Sequence, residues 1–104
     1  MARYNYDCWV GTSAEQIPSL ISQRLKECEL EVIYQGNDYV KARDFPGKVP
    51  LSSFIIVDVL IEYSRQKQGK ILVTVVAQNN DIPGTLGDRC WPKFQQIQQA
   101  LWNL

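Results

Sequence analysis

Residues Phe54 to Gln78 read FIIVDVLIEYSRQKQGKILVTVVAQ, and this stretch decides the fold. Ile55, Val57, Val59, Ile61 and Tyr63 fall on one side of an alternating pattern. Phe54, Ile56, Asp58, Leu60 and Glu62 fall on the other. A period of two is the signature of a β-strand. The first set is wholly β-branched or aromatic and suits a sheet face lying under helices. The second mixes apolar and acidic residues and suits a partly exposed face. The spacing predicts a long strand over Leu51 to Ser64, a polar turn at Arg65 to Gly69, and a last strand from Lys70 to Gln78.

Upstream, Leu30, Val32 and Tyr34 alternate, Gln35 to Asp38 is a turn signal, and Tyr39 to Arg43 returns as a strand. Asp44 to Pro50 is a loop set by two prolines and a glycine. Before these, Tyr4, Tyr6, Cys8 and Val10 alternate with Asn5, Asp7 and Trp9, which predicts a first strand. Ile17, Leu20, Ile21, Leu25 and Cys28 then recur at helical spacing. Thr12 with Glu15, and Ser13 with Gln16, fit the capping-box spacing. Pro18 is tolerated only in a first turn, so the regular helix is expected to begin near it or to carry a bent turn before it. Downstream, Asn79 to Gly87 is a loop. Asp88 stands where a helix start favours a carboxylate, and Pro92 suits a first turn. Trp91, Phe94, Ile97, Leu101 and Leu104 make the apolar stripe of a closing helix.

The element order is β-α-β-β-β-β-α. It predicts an α+β domain over residues 1–104: one antiparallel sheet of about five strands with two helices on one face. Four strands form a meander and the first joins an edge.

The 104 residues carry eleven acidic and eleven basic side chains. Zero net charge argues against a dominant nucleic-acid footprint. No run approaches the roughly 18 apolar residues of a membrane span, and no secretory h-region is read at Met1 to Asn5. Cys8, Cys28 and Cys90 match no zinc or redox spacing, so free thiols in the cytoplasm are expected. No cofactor or metal is expected.

The chain has no histidine, which removes the commonest general base and every Ser-His or Cys-His nucleophile pair. An enzyme built on this chain would rely on Asp58, which interrupts an apolar strand, or on Cys90, near a helix start. The simpler readings are that Asp58 faces solvent or pairs with a basic neighbour, and that Cys90 is a plain thiol behind Trp91. Gly84 and Gly87 lack the phosphate-loop spacing. The basic residues Lys41, Arg43 and Lys48, and Arg65, Lys67 and Lys70, form two groups that folding can gather at one end of the sheet as an anion or lipid site. Trp9 and Trp102 are the aromatics the apolar stripes leave unexplained.

Three segments resemble the kinase-associated C-terminal domain: Tyr6 to Ser13 entering an amphipathic helix, the strands Phe54 to Tyr63 and Lys70 to Ala77, and Gly87 to Phe94 leading into Gln95 to Leu101. That family's fold is similar to one half of the TATA-box-binding protein. The resemblance implies a non-catalytic regulatory module that docks on acidic phospholipid at a membrane periphery, or on a protein partner such as a kinase domain. Zero net charge departs from the strongly basic members. A second reading is a stand-alone protein holding a small apolar ligand between sheet and helices, lined by Tyr34, Tyr39, Phe54, Trp91 and Phe94.

Overall fold

The structure, a computed structural model, describes residues 1–102 and 104. The chain runs β1 (Ala2–Val10), α1 (Ile17–Glu27), β2 (Leu30–Gln35), β3 (Tyr39–Asp44), β4 (Ile56–Lys67), β5 (Lys70–Asn79) and α2 (Cys90–Leu101). This is the expected α+β order. The five strands form one antiparallel sheet in the order β1-β5-β4-β3-β2. β2 to β5 are the meander, and β1 closes back onto β5.

Alternation sorts each strand between two environments. Val57, Val59 and Ile61 of β4, with Val73, Val75 and Ala77 of β5, face the helices and are buried. Ile17, Ile21 and Leu25 of α1, and Ile97 and Leu101 of α2, meet them in one core. Helix α1 lies over β2 and β3, and α2 lies over β1 and β5. The helices are also lashed to each other. Arg24 Nη1 donates to Ala100 O at 2.9 Å, and Lys93 Nζ donates to Cys28 O at 2.7 Å. Each cation satisfies a carbonyl in the last turn or at the cap of the opposite helix, where the helix dipole favours positive charge.

The structure departs from the sequence reading in three local places. The long strand starts at Ile56, and Leu51–Ser53 instead forms a 3₁₀ turn. Asp44 accounts for this shift. Its N–H donates to Ile55 O, and its Oδ2 accepts the Ile55 N–H at 2.8 Å, which holds the chain in a loop up to Ile55. The same strand continues past Ser64 to Lys67, with a register shift between Glu62 and Gln66. At the start of α1, neither Thr12 nor Ser13 caps with its side chain. A 3₁₀ turn over Ala14–Gln16 precedes the helix, closed by Gln16 N–H to Ser13 O at 2.9 Å, and Pro18 sits in the first turn of α1.

The sheet has two distinct ends. One carries the β4–β5 turn, the end of β1 at Val10, and Trp102. The other carries Met1, the loop before β4 and the loop before α2. Eleven strand residues beyond Ile56, at about 3.3 Å each, separate these ends by roughly 36 Å.

Candidate functional site

The six basic residues singled out in the sequence do not meet. Consecutive connections of an antiparallel meander lie at opposite ends of the shared strand. The loop holding Lys48 is therefore at one end of β4, and the turn holding Lys67 and Lys70 is at the other. Lys41 and Arg43 lie between, on the sheet face away from the helices. Both are engaged there: Lys41 Nζ is 3.7 Å from Asp58 Oδ1, and Arg43 Nε donates to Glu31 Oε1 at 3.1 Å. Lys48 Nζ stands over the Phe45 ring, 5.5 Å from its centroid.

At the turn the picture differs. Arg65 makes a loose contact of 3.5 Å with Glu62, and Lys67 and Lys70 make no ion pair among the described residues. The chain reverses through Gln68 (φ +54°) and Gly69 (φ +78°), which brings Lys67 opposite Lys70. The Lys70 stem crosses the backbone of Gly11, where an added Cβ would stand 3.8 Å from both its Cγ and its Cε. Lys70 then shares a surface depression of about 380 Å³ with Asp7, Cys8, Trp9 and Trp102. Trp9 is 39% exposed and Trp102 is 72% exposed. The two indoles left unexplained in the sequence thus line one depression with Lys70 and Asp7, from positions 93 residues apart that β1 and α2 bring to the same end. The alternation already turned Trp9 away from the core; no local signal tied it to Trp102.

The other two chemistry candidates, Asp58 and Cys90, lie apart from this depression. Asp58 accepts a hydrogen bond from Tyr39 Oη beside Lys41, on the open sheet face. That bond and partial burial push the Tyr39 phenol up to about 12. Cys90 is fully buried, and burial, reinforced by the nearby Asp88 and Asp81 carboxylates, pushes its thiol up to about 12. Burial also raises Cys8, with Asp7 adding to it. These thiols stay protonated near neutral pH and are poor nucleophiles. Among the described residues, no group of three or more Cys, Asp or Glu side chains is arranged to hold a metal ion.

The aromatics expected to line one pocket are dispersed. Trp91 and Phe94 stack with centroids 5.9 Å apart and join Tyr4 and Tyr6 between β1 and α2. Tyr34 pairs with Tyr39 at 5.8 Å in the β2–β3 hairpin. Phe54 lines a separate depression with Met1 and Leu51 at the far end. No helix of the described residues is long and apolar enough to cross a membrane.

No family model matches the chain, and neither does any curated protein. The kinase-associated resemblance therefore stays one of pattern. Among solved structures, the protein TTHA0849 of Thermus thermophilus aligns over 97% of this chain and 92% of its own, at 10% identity and a TM-score of 0.41. Ara h 8.0201 aligns over 96% and 94%, at 8% identity and a TM-score of 0.42. Likeness at this level concerns general chain path and says nothing about what this chain binds.

Proposed function

We propose that the chain is a non-catalytic binding module that docks on an anionic membrane surface through its β4–β5 turn. The observation that carries this reading is that Lys70 shares one depression with the exposed indoles of Trp9 and Trp102, while Lys67, opposite it in the ladder, and the loosely held Arg65 stand beside the same turn. Basic residues near a membrane contribute about 1 kcal/mol each, so three give roughly 3 kcal/mol, a weak and salt-sensitive attraction. Indoles settle at the headgroup level and add a term that salt does not screen. Docking of this kind is also what the resemblance to kinase-associated C-terminal domains implies, with the lipid contacts narrowed to one end of the sheet. It would place the chain at the cytoplasmic face of a membrane.

The test is co-sedimentation with vesicles that contain or lack phosphatidylserine, at low and physiological salt. Binding to the anionic vesicles alone, weakened by salt and by the double substitution Lys67→Glu/Lys70→Glu, supports the reading. Equal binding by that variant and the parent chain refutes it, and so does absence of binding at low salt.

A second reading, a small-ligand carrier, has one specific observation in its favour. Tyr6 Oη is buried and has no hydrogen-bond partner among the described residues. Burial, with Cys8 and Cys28 nearby, raises its phenol and keeps it a donor. A mostly apolar molecule with one acceptor group, lodged beside Tyr4 and Phe94, would satisfy it. Saturable uptake of an apolar fluorescent dye, lost in Tyr6→Phe, would support the carrier; no saturable uptake would remove it.

A further inference from the structure

The two edges of the sheet are built differently. β2 is six residues long, and its register shifts between Val32 and Tyr34. Such irregularity is one way an edge is protected from pairing with another chain. β1 has no such protection. Its nine residues pair with β5 in unbroken register from Ala2↔Asn79 to Val10↔Ile71, without a bulge. It contains no proline, glycine or lysine, and its helix-facing positions Tyr4, Tyr6 and Cys8 carry no charge. Among the described residues, no strand lies on its other side.

The order of residues along β1 says what fits that edge. A strand can add to itself antiparallel about a two-fold axis at its centre, Tyr6. Residue i of one copy then faces residue 12 − i of the other. Asn5 faces Asp7, and Arg3 faces Trp9, each pair made twice. Arg3, Asn5, Asp7 and Trp9 are all exposed on the open sheet face. The amide of Asn5 can donate to the Asp7 carboxylate, the guanidinium of Arg3 can lie over the Trp9 indole, and no like charges are opposed. Each arrangement is self-complementary, as a two-fold interface requires.

We infer that β1 is a self-association edge, at which two copies of this chain pair antiparallel about Tyr6 to form one continuous ten-stranded sheet. The overlap supplies roughly eight to ten inter-strand backbone hydrogen bonds, the pattern of an antiparallel ladder of this length. Pairing also lays Arg3 of one copy over Trp9 of the other. The dimer and the anionic surface therefore draw on the same indole, and the two states compete for it.

Two substitutions of opposite sign at one exposed position test the register. Asn5→Asp opposes two carboxylates twice across the axis, and Asn5→Lys opposes a cation and a carboxylate twice. Because the parent chain has zero formal charge, the variants differ from it by one charge of either sign, and general repulsion is the same in both. Sedimentation equilibrium of the full chain, without lipid, is expected to show a monomer–dimer equilibrium. Asn5→Asp should weaken it and Asn5→Lys strengthen it, each about tenfold. Monomers throughout for both parent and Asn5→Lys would overturn the inference. Shifts in the same direction for both variants would also overturn it. Circular dichroism of each variant checks that the monomer fold is kept, and vesicle binding is read separately.

Discussion

Tyr4 and Asp88, 84 residues apart in sequence, share a hydrogen bond in which the phenol donates to the carboxylate. The same carboxylate accepts the N–H groups of Cys90 at 3.0 Å, Trp91 at 3.2 Å and Gly84 at 3.1 Å. One buried side chain thus caps α2, closes the loop before it and ties both to β1. Removing it leaves several donors unsatisfied. Asp88→Ala is expected to lower unfolding stability by about 2–3 kcal/mol, and Tyr4→Phe to lower it by less. A urea-unfolding double-mutant cycle should show the two losses to be non-additive.

The same site makes stability depend on acid. Burial alone would push the Asp88 carboxyl up, but donation from Tyr4 and from the Gly84, Trp91 and Cys90 N–H groups outweighs it and holds the carboxyl below its ordinary value. A carboxyl lowered by folding stabilises the native state fully above its unfolded pKa, about 4, and that contribution is lost as pH falls through the folded value. The urea midpoint should therefore fall below about pH 4. Asp88→Asn should start from a lower midpoint at neutral pH and show a shallower acid decline. An equally steep decline in the variant would locate the acid sensitivity elsewhere.

Much of this architecture is legible in the residues themselves. The alternation of Tyr4, Tyr6, Cys8 and Val10, the period-two run through β4, and the helical spacing of Ile17, Ile21 and Leu25 name the elements and their buried faces, because burial depends on periodicity. Asp88 is legible as a helix-start carboxylate. The strand start at Ile56 is not, since Leu51 to Phe54 sits next to the period-two run and is kept out of it by long-range contacts, Asp44 with Ile55 and Arg89 with Ser53. The dispersal of the six cations follows from the meander alone, which sends successive turns to opposite ends. The meeting of Trp9 with Trp102, and of Tyr4 with Asp88, needs the packing of α2 over β1, and no local pattern encodes that.

Cys90 should behave as a core atom. With its thiol pushed up to about 12, the thiolate fraction at pH 8 is roughly one in ten thousand, and the side chain is fully buried. Alkylation followed by peptide mapping should label Cys90 only on unfolding. Rapid labelling of the native chain at Cys90 would show the site to be open.

Arg89 joins the two loops at the end of the sheet away from the turn. Its Nη1 donates to Ser53 O at 3.0 Å, and its Nη2 lies 3.6 Å from the Asp44 carboxylate. Its backbone N–H donates to Asp81 Oδ2 at 3.0 Å. A planar fork spans a carbonyl and a carboxylate together; an ammonium group does not. Arg89→Lys is therefore expected to cost about 1 kcal/mol, close to the cost of Arg89→Ala. Full stability in the lysine variant would mean that charge alone suffices.

The β4–β5 turn offers a stabilising substitution that leaves Arg65, Lys67 and Lys70 in place. Gln68 has φ +54° and Gly69 has φ +78°, so both central residues of the two-residue connection are left-handed. A type I′ turn requires that of both residues, and asparagine followed by glycine is its favoured pair. Glutamine meets the requirement against its preference, whereas asparagine visits the left-handed region several-fold more readily. Gln68→Asn should raise stability by about 0.5 kcal/mol, read as a higher urea midpoint with an unchanged slope. Gly69→Val places a β-branched residue at positive φ and should lower stability by about 1–3 kcal/mol. If the turn also sets the spacing of Lys67 and Lys70, Gly69→Val should weaken vesicle binding while Gln68→Asn leaves it intact.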